Sequence, residues 1–392
     1  MKLIIIKLKM KGLGKLQKGD LNGNKKFLSR ESLKNRLKCR GLIFKDDELN
    51  KVLVEQNYYS LFNGFENLFL DTLHPKIYKN ITLEDFKAVY SFDKRFSNII
   101  FSKLNKVEEK LKTSIAYHFS KRHCTMLNDT MQYTNKSNFM DPSDTNTSSV
   151  TYCPYSLNYP FVNEQNKKIY SKFADFILFK PFYLTNLIDR NDHIDMKFYQ
   201  SKKYIAPMNV AVYRDIHKIP HKNVAVPFWV SIETLTFGET IRLVHYLQDD
   251  VLEDVLRDFK LKKSKRSEFL NMMDFLLCLR NNCAHTSVIN HFTTPTYYKV
   301  NSNVVKAFSL NPQKHYGYQD SKLSLFDVLK ILGYFESLIE LKQLMKKFFY
   351  SNHRRMGHLA GNKLNQKLLK RMGCSNYGQW KTMLSGKMQY TL

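Results

Sequence analysis

Paired cysteines, long apolar runs and acidic residues are scarce in this 392-residue chain, and each shortage removes a class of protein. Its six cysteines (Cys39, Cys124, Cys153, Cys278, Cys283 and Cys374) are scattered and form no CxxC pair. That spacing argues against a disulfide framework and fits free thiols in a reducing compartment. No segment approaches the roughly 18 consecutive apolar residues that span a bilayer. The opening MKLIIIKLKMKGLGK holds four apolar residues in a row before a lysine, too few for a signal-peptide core. A soluble, cytoplasmic protein is the expectation. There is also no glycine-rich phosphate loop, no alternating strand–helix pattern and no internal repeat, which argues against common nucleotide-binding folds and solenoids.

Acids number 35 against 62 Lys and Arg, for a net charge of +27. The excess is local. Residues 1–40 carry thirteen Lys/Arg against two acids, and residues 341–392 carry eleven and no acid. Two basic ends around a nearly balanced middle predict clamps for a polyanion, with nucleic acid the first choice. Solvated tails are the plain alternative. An anionic membrane fits less well, because neither end sets an apolar face opposite its lysines.

What the chain has in quantity is apolar and aromatic residues at helical spacing. A 43% hydrophobic fraction is enough for a packed core. SRESLKNRLKCRG carries a Ser29 cap, Leu33 and Leu37 one turn apart, and a stop at Gly41. In TLEDFKAVYSFDKRFSNIIFSKLNKVEEKLKTSIAYHFSKRH, Thr82 and Asp85 suit a helix start, and Phe86 through Ile115 recur with helical period. VPFWVSIETLTFGETIRLVHYL reads as a helix opened at Pro227 and interrupted at Gly238. KRSEFLNMMDFLLCLRNNCAH is apolar and helical, and KLSLFDVLKILGYFESLIELKQLMKKFF reads as one last long helix. TTPTYYKVNSNVVKAFSLN, between them, reads as loop or hairpin. The fold class is all-α, a helical bundle. Its parts are a basic helical region over 1–80, a helical domain over 81–350 and a basic extension over 351–392. A polar surface insertion interrupts the domain at about 125–166.

The candidate chemistry lies in LCLRNNCAHTSVINHF. Arg280 and His285 are five residues apart where an apolar helix ends. An ideal helix puts them about 140° apart, so a long arm or a distorted turn must bring them together. RNA cleavage through the ribose 2′-oxygen needs a group that moves protons near neutrality and a cation that stabilises the phosphate. His and Arg fill those roles. A capping histidine beside a surface arginine is the ordinary alternative. Cys278, Cys283, His285 and His291 match no common zinc spacing, and no cofactor is implied. Cys283 and His285 are two apart and face away from each other, against a thiol nucleophile. Glu233, in an apolar stretch, should be paired or functional, with Arg280 or His285 as the expected partner. Asp85, Asp93, Glu108 and Glu109 read as surface residues of a helix.

Four blocks resemble the AbiF/AbiD-like abortive-infection proteins of bacteria. VPFWVSIETLTFG is similar to their PxWxxxExxxFG block, LRNNCAHTSVINHF to RNxxAHHxRxxN, VYSFDKRF to the start of their long helix, and EQNYYSLFNGF to an amino-terminal segment. Thr286 and Val288 depart from the second block, where His and Arg are usual. The resemblance implies a HEPN helical bundle. It also implies metal-independent endoribonuclease activity at Arg280 and His285, with Asn281 and Glu233 in the site. HEPN ribonucleases use two R-x4-H motifs and this chain has one, so a homodimer is implied. A toxin-like role governed by a cognate non-coding RNA is implied as well. RNA contacts then fall to Lys7, Lys9 and Lys11 at one end. At the other they fall to Lys346, Lys347, Arg354, Arg355, Lys363, Lys367, Lys370 and Arg371, with Tyr350, Tyr377, Trp380 and Tyr390 for base stacking. A non-catalytic RNA-binding HEPN protein is the alternative.

Overall fold

The computed structural model describes residues 27–126, 129–141, 173, 175–179, 213–214, 220–221, 226–285, 288–295, 300–315, 318–386 and 390. The expected all-α class holds, with three two-stranded hairpins beside the helices among the described residues. The chain divides into two compact units, one ending at Ala88 and the other beginning at Val89.

In the first unit, α1 (Arg30–Cys39) is capped by Ser29, whose hydroxyl accepts from the Ser32 amide at 3.2 Å. It stops where Gly41 takes a φ of +83°; a side chain there would also meet the Tyr78 carbonyl at 2.8 Å. α2 (Asp46–Glu55) opens on Asp46, Asp47 and Glu48, which suit the positive end of a helix. α3 (Glu66–Phe69) leads into the antiparallel hairpin β1 (Leu70–Leu73) and β2 (Lys76–Tyr78). Leu37, Leu49, Leu61, Phe62, Phe65 and Phe86 make the core. Within it the buried Glu66 pairs with Arg40 at 3.3 Å and with Lys76.

α4 (Leu83–His123) runs 41 residues without interruption. Its start is a reciprocal cap: the Thr82 amide donates to Asp85 at 2.9 Å and the Asp85 amide to the Thr82 hydroxyl at 3.2 Å. In the second unit its buried stripe is Phe96, Ile100, Leu104, Leu111, Ile115 and Phe119. Each fully buried Phe or Leu is worth roughly 1.5–3 kcal/mol, so this one face is the unit's main axis.

The described part of the polar stretch after α4 is not a surface insertion. Met131 and Tyr133 are fully buried. The Tyr133 hydroxyl donates to the Val226 carbonyl at 2.7 Å, and its ring stacks on Phe228 at 4.8 Å. Phe139 stacks on Phe119 of α4 at 5.0 Å. Aromatic side chains spaced among Asn, Ser and Thr escape a periodicity reading because no regular element carries them. The remainder of 125–166 lies outside the described residues.

After β3 (Tyr213–Arg214) and β4 (Pro220–His221) come α5 (Phe228–Ser231), a 3-10 turn (Ile232–Thr234), α6 (Phe237–Tyr246), α7 (Asp249–Asp258) and α8 (Arg266–Ala284). The break expected at Gly238 falls earlier. Thr236 and Glu239 form a capping box that starts α6, so Gly238 lies inside its first turn. Residues read as loop or hairpin contain α9 (Ser302–Phe308), capped by Asn301. Hairpin β5 (Gln313–His315) and β6 (Tyr318–Lys322) follows. The long last helix is two, α10 (Leu325–Phe335) and α11 (Ile339–Met356), separated by extended backbone at Glu336. The basic carboxy-terminal stretch folds as α12 (His358–Arg371) and α13 (Tyr377–Leu384). α8 packs against α6, α9 and α10, while α11 packs against α12 and α13.

Candidate active site at the end of α8

α8 is buried around most of its circumference, from Phe269 to Leu279, and turns polar only in its last turn. That change brings Arg280, Asn281 and His285 toward the surface at the end of a rigid core helix. His285 is the C-cap, with φ −85° and ψ 18°, and its amide donates to the Asn281 carbonyl at 3.0 Å. The helix therefore loosens at the residue where a regular turn would hold the pair apart.

Arg280 is 28% exposed and held on three sides. Nη1 donates to Asn281 Oδ1 at 3.5 Å, and Nε lies 3.9 Å from Glu108 Oε2 of α4. The guanidinium also sits 5.9 Å from the centre of the Phe101 ring. Glu108 is only 12% exposed and pairs with Lys112 at 3.2 Å, one turn along α4. Lys112 Nζ in turn lies 3.8 Å from Glu233 Oε2 and donates to the Glu233 carbonyl at 3.4 Å. A ladder of alternating charge thus runs Arg280, Glu108, Lys112, Glu233. His285 is exposed, and among the described residues its imidazole has no hydrogen-bond or ion-pair partner.

Readings of four acids change, at Glu233, Glu108, Asp93 and Asp85, the last buried in the cap that opens α4. Glu233 is 52% exposed and pairs with Lys112, not with Arg280 or His285. Its 3-10 turn rolls the carboxylate out of the apolar run. Glu108 is no ordinary surface residue, because it is the acid that meets Arg280. An i, i+4 Glu–Lys pair at 108 and 112 was visible in the sequence. Its partner at 280 was not.

Asp93 is likewise buried. Its carboxylate accepts from the Ile289 amide at 3.0 Å, the Asn290 amide at 3.0 Å and the Asn290 side chain at 2.6 Å. It thereby clamps the 3-10 turn Ile289–His291 that follows the candidate pair. Burial pushes the Asp93 carboxyl up, and the hydrogen bonds from Asn290 and Ile289 pull it back. In the same cluster His291 Nδ1 accepts from Arg371 Nε of α12 at 3.0 Å. Burial, then the Arg371 charge, lowers the His291 imidazole to about 4. Cys283 faces this interior, and burial pushes its thiol up to about 11. A neutral, buried thiol is a poor nucleophile. Among the described residues no three His, Cys, Asp or Glu side chains group as a metal site.

A family described as Abi-like protein matches residues 51–291. This chain belongs to that family. Membership assigns it to bacterial abortive infection, an antiviral defence. The matched span holds Asp93, Glu108, Lys112, Glu233, Arg280 and His285, and it ends on the turn that Asp93 clamps. Helices α9 to α13 lie beyond it. Neither the comparison with curated proteins nor that with solved structures returned a match.

Of the expected RNA-contacting residues, Lys346, Lys347, Arg354, Lys363 and Lys370 are exposed, and Arg355 and Lys367 are half-buried. Arg371 is half-buried on His291. Lys7, Lys9 and Lys11 lie outside the described residues. Tyr350 is exposed, Tyr377 and Tyr390 are half-buried, and Trp380 is fully buried against Phe326, so it cannot stack an RNA base. Among the described residues no helix is long and apolar enough to cross a membrane.

Proposed function

We propose that this Abi-like protein is a HEPN-type endoribonuclease of antiphage defence that cuts RNA through its own 2′-hydroxyl. The reading rests on the last turn of α8, where Arg280 is fixed by Glu108 and Phe101 while the imidazole of His285 stands open. His285 takes the 2′-hydroxyl proton or delivers one to the 5′-oxygen that leaves. The 2′-oxygen then forms a bond to phosphorus as the P–O5′ bond breaks, giving a 2′,3′-cyclic phosphate and a 5′-hydroxyl. Arg280 holds the negative charge that builds on the phosphate oxygens. Asn281 orients Arg280. Glu233, three ion pairs along the ladder from Arg280, belongs to the surroundings of the site rather than to proton transfer.

One motif per chain makes the complete site a product of two copies, each supplying Arg280 and His285. The lysines and arginines of α11 and α12 supply contacts for a regulatory non-coding RNA, and neutralising several phosphates makes such binding steeply dependent on salt.

The test compares wild type with Arg280→Ala and His285→Ala on labelled RNA. Each variant should lose about a hundredfold or more in cleavage rate while still binding RNA. Cleavage at the wild-type rate in both variants disproves the reading. RNA binding without cleavage by wild type replaces it with a non-catalytic RNA-binding protein.

A further inference from the structure

Tyr117 and Trp229 are 62% and 59% exposed, whereas most aromatic rings among the described residues are buried. Both line one cavity of about 620 Å³ between α4 and the Phe228–Thr234 turns, together with Ser120, Lys121, Ile232 and Glu233. A second hollow of about 550 Å³, bordered by Lys106, Lys110 and Ser114, lies on the other side of Tyr117. Tyr117 stands as a post between the two. Lys121 is exposed and has no ion-pair partner among the described residues.

This groove adjoins the candidate active site through Glu233, which lines it and pairs with Lys112 at 3.8 Å. Lys112 pairs in turn with Glu108, the acid that meets Arg280. Exposed rings, a free cation and an outward carboxylate around one cavity suit a flexible polyanion whose units carry flat, hydrogen-bonding bases.

We propose that the groove holds an unpaired guanine of a single-stranded RNA next to the cleavage site. Its base stacks on Trp229 or Tyr117, an adjoining phosphate meets Lys121, and its edge donates to Glu233. Guanine presents N1–H and N2–H side by side, which match the two oxygens of a carboxylate; adenine, cytosine and uracil present no two adjacent N–H groups on one edge. The half-exposed carboxylate is available for this, since among the described residues its side chain pairs only with Lys112, at 3.8 Å. The proposal takes its ligand class from the ribonuclease reading and adds a subsite that reads one base.

The test uses full-length protein and 2′-O-methyl hexauridylates bearing one central guanosine or adenosine. These cannot be cleaved, so the outcome is separate from the activity of Arg280 and His285. The protein has two tryptophans, and Trp380 is fully buried, so quenching of emission on binding reports Trp229. The guanosine oligomer should quench and should bind more tightly than the adenosine oligomer. Tyr117→Ala should weaken it about tenfold, and Glu233→Gln should abolish the preference for guanosine. Trp229→Phe, followed by anisotropy of a labelled oligomer, should bind but show no quench. Unchanged melting temperatures keep folding out of the comparison. Binding without quenching, or equal affinity in wild type, Tyr117→Ala and Glu233→Gln, overturns the proposal even if RNA is cleaved.

Discussion

Asp93 anchors the segment after the catalytic candidates with three hydrogen bonds, and its position 196 residues from Ile289 hid that role. A carboxylate on a periodic helix ordinarily faces water, and buried ones are rare unless paired. Here the pairing is with backbone and amide donors, which leave no charge signature in the sequence. Asp93→Ala strands all three donors in the interior. Each buried orphan costs about 1–3 kcal/mol, so urea unfolding should show a loss of about 3 kcal/mol or more. The proposed RNA cleavage should fall as well, measured well below the new melting point, because the turn beyond His285 is no longer held. Asp93→Asn keeps one acceptor oxygen and should recover part of both losses. An Asp93→Ala protein as stable as wild type would show that the clamp carries little.

The hairpin of α11 and α12 shows how an element can be half legible. Leu364 and Leu368 lie one turn apart and are buried, a pattern open to sequence reading. The closeness of the two helices is set by Gly361. A Cβ there would lie 2.9 Å from the Asn352 carbonyl carbon and oxygen and 2.8 Å from the His353 ring. Beside it the buried Asn352 side chain donates to Asn365 at 2.7 Å. In an isolated helix, Gly→Ala would stabilise by about 1 kcal/mol. Against backbone that cannot step aside, overpacking of about 1–3 kcal/mol should win. Gly361→Ala should therefore lower the melting temperature, and it should weaken the RNA binding proposed for the α11 lysines. A raised melting temperature would mean that the hairpin opens at little cost.

At the scale of the whole molecule, two histidines tie stability to pH: His245, fully buried, and His291, at the surface against Arg371. Burial, then the charges of Arg266 and Arg242, lowers His245 to about 3. His291 is lowered to about 4 by burial and Arg371, with the Asp93 carboxylate in the same cluster. Both stay neutral in the folded chain as acid is added, while in the unfolded chain they take protons near the ordinary value of 6.5. The unfolded state thus binds more protons in this window. The stability these groups contribute is complete above about 6.5 and declines as pH falls toward 4. Unfolding in urea at pH 7 and pH 5 should show the loss, and His291→Gln should lose less than wild type. An equal loss in both would assign the effect to other groups.

The sequence by itself determined the helical class, the caps at Ser29 and Thr82, the family blocks and the position of Arg280 and His285 at a helix end. All of these depend on interactions between residues within about one or two turns of each other, where spacing and propensity are nearly the whole energy. Only the tertiary structure decided that Glu108 meets Arg280, that Lys112 takes Glu233, that Asp93 is a clamp and that Trp380 is core. Each depends on which faces of distant helices pack together. Burial then strengthens charge pairing and demands a partner for every polar group, so packing sets the value of residues that look alike along the chain.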